Sequence, residues 1–167
     1  FIPVLMFLLL LVPLVPTAEG GSAPVKKAGE KWRIGFYEGG AWPDSQVTLI
    51  ETVRGLIELG WIEKIELPET QNKEDTRELR SGLSHHMRSD YLDFVEEAYW
   101  SANWEDGLRE TNRRDCLERL REKTVDLMFA LGTWAGLDLA NNEHRVPTII
   151  MSTSDPLSAG IIESADN

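Results

Sequence analysis

The chain has 167 residues, enough for one domain with a core of its own, and carries 28 acidic against 17 basic side chains, a net charge of -11. An acidic surface repels the phosphate backbone and no basic stripe interrupts it, which argues against a nucleic-acid partner. The single cysteine, Cys116, excludes an internal disulfide and a thiolate metal cluster.

Phe1 to Pro16 is an uncharged, Leu-rich run broken by Pro3, Pro13 and Pro16. It is too short and too interrupted for a membrane span. Small residues follow in Thr17-Ala18-Glu19-Gly20-Gly21-Ser22-Ala23. The pair reads as the apolar stretch and cleavage region of an export signal whose basic start is missing, with an uncleaved anchor as the competing reading. No cysteine follows the run, which excludes a lipid anchor at that point. Residues 1–30 are therefore set aside as signal peptide and linker, and residues 31–167 as the folded part. The chain starts at Phe1 rather than Met and stops at Asn167 just after an apolar stretch, so both ends read as cut.

Trp32 to Tyr37 alternates and is rich in β-formers, which predicts a first strand. Gly and Pro make Glu38 to Pro43 a loop. Asp44 or Ser45 can cap the next helix, along which Leu49, Val53 and Leu56 recur at helical spacing before Gly60 stops it. Ile62 to Leu67 fits a second strand or a mere lead-in to Pro68. Leu79, Leu83 and Met87 trace a weak helical pattern within a polar stretch. Tyr91 to Trp100 fits a strand, and equally a helix with Leu92, Val95 and Tyr99 on one side. Leu108 to Lys123 reads as a charged helix with Leu117 and Leu120 inward. Val125 to Leu131 reads as a central parallel strand. Gly132-Thr133-Trp134 is expected as a turn, Ala135 to Asn141 as a short helix, Val146 to Met151 as another buried strand, and Ser152 to Pro156 as a loop.

Strands separated by helices predict an α/β domain: a parallel sheet with helices on both faces. Ligands in such sheets sit beyond the carboxyl ends of the strands, here the loops Glu38 to Pro43, Gly132 to Trp134 and Ser152 to Pro156. Trp42, in the first of these, is a candidate ligand contact. Thr133 suits a ligand carboxylate or a plain helix cap. Trp134 suits stacking on a ligand or packing against the helix layer. Asp155 can take a ligand ammonium or brace the turn that Pro156 sets up. Trp100 and Trp104 read as core or interface aromatics. His85-His86 projects its rings about a hundred degrees apart on a helix, a poor metal pair even with Asp90 nearby, and a solvated surface is the better reading. Cys116 lies at helical spacing with Leu117 and Leu120 and reads as a core thiol rather than a nucleophile. No phosphate-cradling loop and no Gly-x-Ser-x-Gly elbow is present.

Several segments, taken in order, resemble one family. They are Arg33-Ile34-Gly35 with its loop, Gly55-Leu56-Ile57-Glu58-Leu59-Gly60-Trp61, and Val125 to Thr133. They continue with Val146-Pro147-Thr148-Ile149-Ile150, then Ser154-Asp155-Pro156-Leu157-Ser158-Ala159-Gly160-Ile161-Ile162. The ordered set resembles the ABC transporter substrate-binding proteins of the type I periplasmic-binding fold, which include tryptophan and related amino-acid binders. The resemblance covers Trp32 to Glu163. It departs from the family in a longer connection over Pro68 to Asn103 and in the missing lipid-attachment cysteine.

The resemblance implies the N-terminal lobe of a non-catalytic receptor, exported to the periplasm or the cell exterior. A second lobe, not in this chain, would close with it on a small solute, an amino acid by analogy. The receptor would then deliver the solute to the membrane permease of an ABC transporter, with no cofactor and no metal. The ligand contacts it implies are Glu38, Gly39, Trp42, Thr133, Trp134, Thr153 and Asp155, on the loops already named. A ligand-sensing input domain of a signalling protein is the second expectation. A flavodoxin-like or hydrolase-like enzyme is the third.

Overall fold

The computed structural model describes residues 23–67 and 74–165. The expected apolar export segment lies outside the described residues. Among the described residues eight elements follow one another: β1 (Trp32–Glu38), α1 (Ser45–Glu58), α2 (Arg77–His86), β2 (Leu92–Ser101), α3 (Asp106–Arg121), β3 (Leu127–Leu131), α4 (Gly132–Leu139) and β4 (Thr148–Met151). The strands form one all-parallel sheet in the order β2-β1-β3-β4. The expected α/β class, a parallel sheet with helices on both faces, is what the chain adopts.

Strand alternation builds a core on each face. Ile34 and Phe36 of β1 join Phe129 and Leu131 of β3 beneath Leu49 and Val53 of α1 and Leu79 and Leu83 of α2. Tyr37 joins Met128 and Ala130 beneath Cys116, Leu117 and Leu120 of α3 and Ala135 and Leu139 of α4. Each large apolar side chain so buried contributes about 1.5–3 kcal/mol. Cys116 is one of these packed groups, and burial pushes its thiol up to about 12, which leaves it unreactive.

Where the sequence left alternatives, pairing decided. Ile62 to Leu67 forms no strand. Glu63 makes one backbone bond, to the Arg88 carbonyl, and the stretch otherwise runs as a lead-in. Tyr91 to Trp100 becomes β2 because β1 offers it a parallel partner. Its register slips between Ile34↔Phe94 and Phe36↔Tyr99, so Val95 to Ala98 stand opposite Gly35 alone. Leu92 and Tyr99, an odd number of residues apart, therefore face the same core, while Val95 packs on the opposite one.

Two expectations are corrected. Gly132-Thr133-Trp134 is not a turn but the first turn of α4, because Gly132 at φ +84 switches directly from strand to helix. Val146 to Met151 is not a fully buried strand. Only Thr148–Met151 pairs, and Ile149 is 47% exposed because β4 is the sheet edge among the described residues.

On its own face α1 reaches over β3, but among the described residues no helix lies beyond it over β4. Both rightward crossovers, through α3 and α4, run on the other face, as right-handed connections require. An apolar groove of about 450 Å³ results, lined by Trp32, Leu59, Trp61, Leu127, Ile149 and Met151 among others.

At the amino end of the sheet, Asp126 gathers the chain. It accepts from the Arg33 backbone N–H at 3.0 Å, the Arg33 guanidinium at 3.1 Å and Lys27 Nζ at 2.5 Å. Residues expected as linker are thus tied to the domain, and Trp32 Nε1 donates to the Val25 carbonyl at 2.9 Å. Burial pushes the Asp126 carboxyl up, but the Arg33 and Lys27 hydrogen bonds outweigh it and hold the group well below the usual carboxylate range. A depressed folded pKa gives stability that is present above the unfolded value near ~3.9 and is lost as pH falls below it. The urea midpoint is therefore expected to fall between about pH 6 and about pH 3, with a shallower fall in Asp126→Asn, which starts lower by about 1–3 kcal/mol. An equal slope in both proteins would contradict this account of Asp126.

Gly35 makes the second prediction. A Cβ there would stand 2.5 Å from Met128 Sδ and 3.1 Å from Val125 Cγ1, inside a packed core. Gly35→Ala is expected to cost about 1–3 kcal/mol in urea unfolding, with Met128→Val relieving part of the loss.

Candidate functional site

Strand order puts β1 beside β3 while their connections leave in opposite directions. A crevice opens at that reversal, beyond the carboxyl ends of the two strands. It is a pocket of about 280 Å³ lined by Trp42, Ser45, Trp104, Thr133, Trp134, Ser152 and Ser154 with Gly40, Leu131 and Gly132. Trp42, Thr133 and Trp134, all named from the sequence, meet here.

Trp104, read from the sequence as core or interface, is the central ring. Its centroid lies 6.0 Å from that of Trp42 and 5.3 Å from that of Trp134, at interplanar angles of 69° and 68°. Such edge-to-face contacts contribute about 0.5–1.5 kcal/mol each beyond the area they bury. The ring reaches this position through a backbone outside the usual regions. Asn103 sits at φ 47 and Trp104 at φ 63. Asn tolerates this well, whereas a bulky aromatic there costs about 1–3 kcal/mol.

The surroundings hold it. Trp104 N–H donates to the Gly39 carbonyl at 2.9 Å and its Nε1 to the Ala41 carbonyl at 2.8 Å. A Cβ on Gly39 would come within 2.7 Å of the Trp104 ring, and one on Gly40 within 2.8 Å. The paired glycines are the space into which the indole fits. That pair was the signal available in the sequence, but its partner lies some sixty residues away and nothing local points to it.

The other sequence-named residues have different surroundings. Glu38 is 2% exposed and accepts from Thr76 Oγ1 at 2.6 Å and Tyr99 OH at 2.7 Å, which ties the start of α2 to the sheet. Burial, and then the Glu38 carboxylate, push the Tyr99 phenol above its ordinary range. Gly39 floors Trp104 rather than facing the pocket. Thr153 Oγ1 is buried without a hydrogen-bond partner. Asp155 is exposed and accepts from the Ser158 backbone N–H at 2.9 Å, which braces the turn after Pro156, and the Ser158 side chain and then this N–H lower its pKa. Thr133 is not the cap of α4, whose capping position is Leu131. His85 and His86 are exposed, and His85 Nε2 meets Glu96 Oε2 at 2.8 Å.

No protein-family model and no curated protein matches this chain. Among solved structures, it is similar to an ABC domain from Streptococcus pneumonia in complex with L-Trp, with a TM-score of 0.53 at 15% identity. The match covers 81% of this chain and 35% of that one, so this chain spans about a third of that protein. At this identity the likeness is one of fold.

Gly39→Ala tests the packing of the cluster. It should displace the Trp104 ring and weaken the near-ultraviolet circular dichroism of the coupled indoles. The far-ultraviolet spectrum should be unchanged, because β1 itself need not move.

Proposed function

We propose that this chain is the N-terminal lobe of an extracytoplasmic solute-binding receptor of an ABC uptake system. Its solute is a small molecule with a flat apolar part, such as an aromatic amino acid. The observation that carries the reading is the gathering of Trp42, Trp104 and Trp134 at the strand-order reversal of a parallel sheet. The indoles supply apolar and stacking surface. The hydroxyls of Ser45, Thr133, Ser152 and Ser154 and the starts of α1 and α4 suit a carboxylate on the same solute.

The pocket lining contains hydroxyls, glycines, a leucine and indoles, without a histidine or carboxylate to activate a nucleophile. This supports binding over catalysis. The L-Trp complex of the similar structure and the ordered resemblance of the sequence support the solute class and the transport role. The apolar amino-terminal run supports export to the periplasm or the cell exterior. A second lobe would cover the pocket from above and carry the contacts to the permease.

Thermal-shift screening of the full two-lobed protein against L-tryptophan, other amino acids and small organic acids is the test. A specific solute at a hundred times its Kd should add about 2.7 kcal/mol of stability, and Trp104→Ala should remove the shift. The isolated lobe should bind weakly or not at all. Absence of a shift across the panel would sink the proposal, as would turnover by the full protein that disappears in Asp155→Ala.

A further inference from the structure

Trp134 has a second neighbour besides Trp104. The Arg109 guanidinium of α3 lies over its ring, 4.5 Å from the centroid. Arg109 is itself held in place. Its Nε donates to Asp138 Oδ1 at 3.1 Å and Oδ2 at 2.9 Å, and its Nη2 to Oδ1 at 2.8 Å. The Asp138 side chain is only 6% exposed, and Tyr37 OH donates to its Oδ2 at 2.9 Å. Tyr37 is fully buried on β1. Trp134 and Asp138 stand one helical turn apart on α4, so they share a face. One guanidinium therefore joins α3, α4 and, through Asp138, the central strand, while its flat side rests on an indole that lines the pocket.

We infer that Arg109 is a positioning residue of the solute site, fixing the Trp134 ring before solute arrives. The claim that this ring meets solute rests on the function proposed above; the restraint on the ring does not. A fork bonded to a carboxylate has little rotational freedom left, so the plane it presents is fixed. An indole under a fixed plane is confined to one rotamer, and a confined ring loses less entropy when a ligand settles on it.

Arg109→Lys separates the two roles, because it keeps a cation for Asp138 but loses the planar fork. The second variant is Arg109→Met combined with Asp138→Asn. It leaves no uncompensated buried charge and still offers Tyr37 an acceptor, so it remains informative if the first variant fails to fold. Both are labelled with 5-fluorotryptophan, and the Trp134 resonance is assigned with Trp134→Phe. Without ligand, the Trp134 fluorine resonance should shift and broaden in both variants. Those of Trp32 and Trp61, toward the other end of the sheet, should stay in place. In the full two-lobed protein, L-tryptophan should bind roughly fivefold to twentyfold more weakly in either variant.

An unmoved Trp134 resonance overturns the inference. So does a moved resonance with unchanged L-tryptophan affinity. Should the parent protein bind none of the solutes screened, the proposed function falls, while the fluorine spectra still decide whether Arg109 fixes the ring.

Discussion

The parallel ladder between β1 and β3 governs what happens at the carboxyl edge of this domain. Five residue pairs, from Ile34↔Leu127 to Glu38↔Leu131, bring the ends of the two strands side by side. From there the chain leaves toward β2 on one side and toward β4 on the other. The two departing loops cannot fill the space between them, and the pocket is what remains. The same handedness of crossover places α1 and α2 on one face and α3 and α4 on the other. Among the described residues, it also leaves the outer part of the α1 face uncovered, where Ile149 and Leu59 stand exposed.

Onto this frame the β2–α3 loop brings a residue that no neighbour in sequence would suggest. Trp104 occupies a conformation that costs energy, and its backbone and indole hydrogen bonds to Gly39 and Ala41 offset that cost. Strain of this kind persists only where the surroundings over-determine it. The surroundings here are two glycines without side chains beneath the ring and an indole on each flank. Arg109 and Asp138 extend the same restraint one step further from the pocket, into the face where Tyr37 is buried. The rim is thus built of indoles in mutual contact, with small hydroxyl residues elsewhere.

Much of the architecture was legible from the residues in order. Leu49 and Val53, Leu117 and Leu120, and the run from Val125 to Leu131 carry their periodicity openly, because each buries a continuous stripe or strand. Gly60, at φ 77, follows the first helix where its apolar pattern stops. The loops after β1, β3 and β4 followed from the carboxyl ends of the expected parallel strands, which is why Trp42, Thr133 and Trp134 were within reach. Tyr91 to Trp100 was not legible, because the bulge opposite Gly35 breaks the two-residue alternation that marks a strand. The surroundings of Glu38 were hidden for a similar reason: its partners, Thr76 and Tyr99, come from the start of α2 and from β2, and only packing brings them to β1.

By itself, then, the sequence determined the class of fold, the positions of its main helices and strands, and the edge at which the pocket opens. Those properties depend on short-range periodicity and on the chirality of the connections, both of which are written locally. Tertiary structure alone decided which aromatic stands at the centre of the pocket, which of the named polar groups face it, and which turn inward to hold elements together. Those outcomes depend on contacts between residues far apart along the chain, such as Gly39 with Trp104 and Tyr37 with Asp138, and distance in sequence leaves no periodic trace.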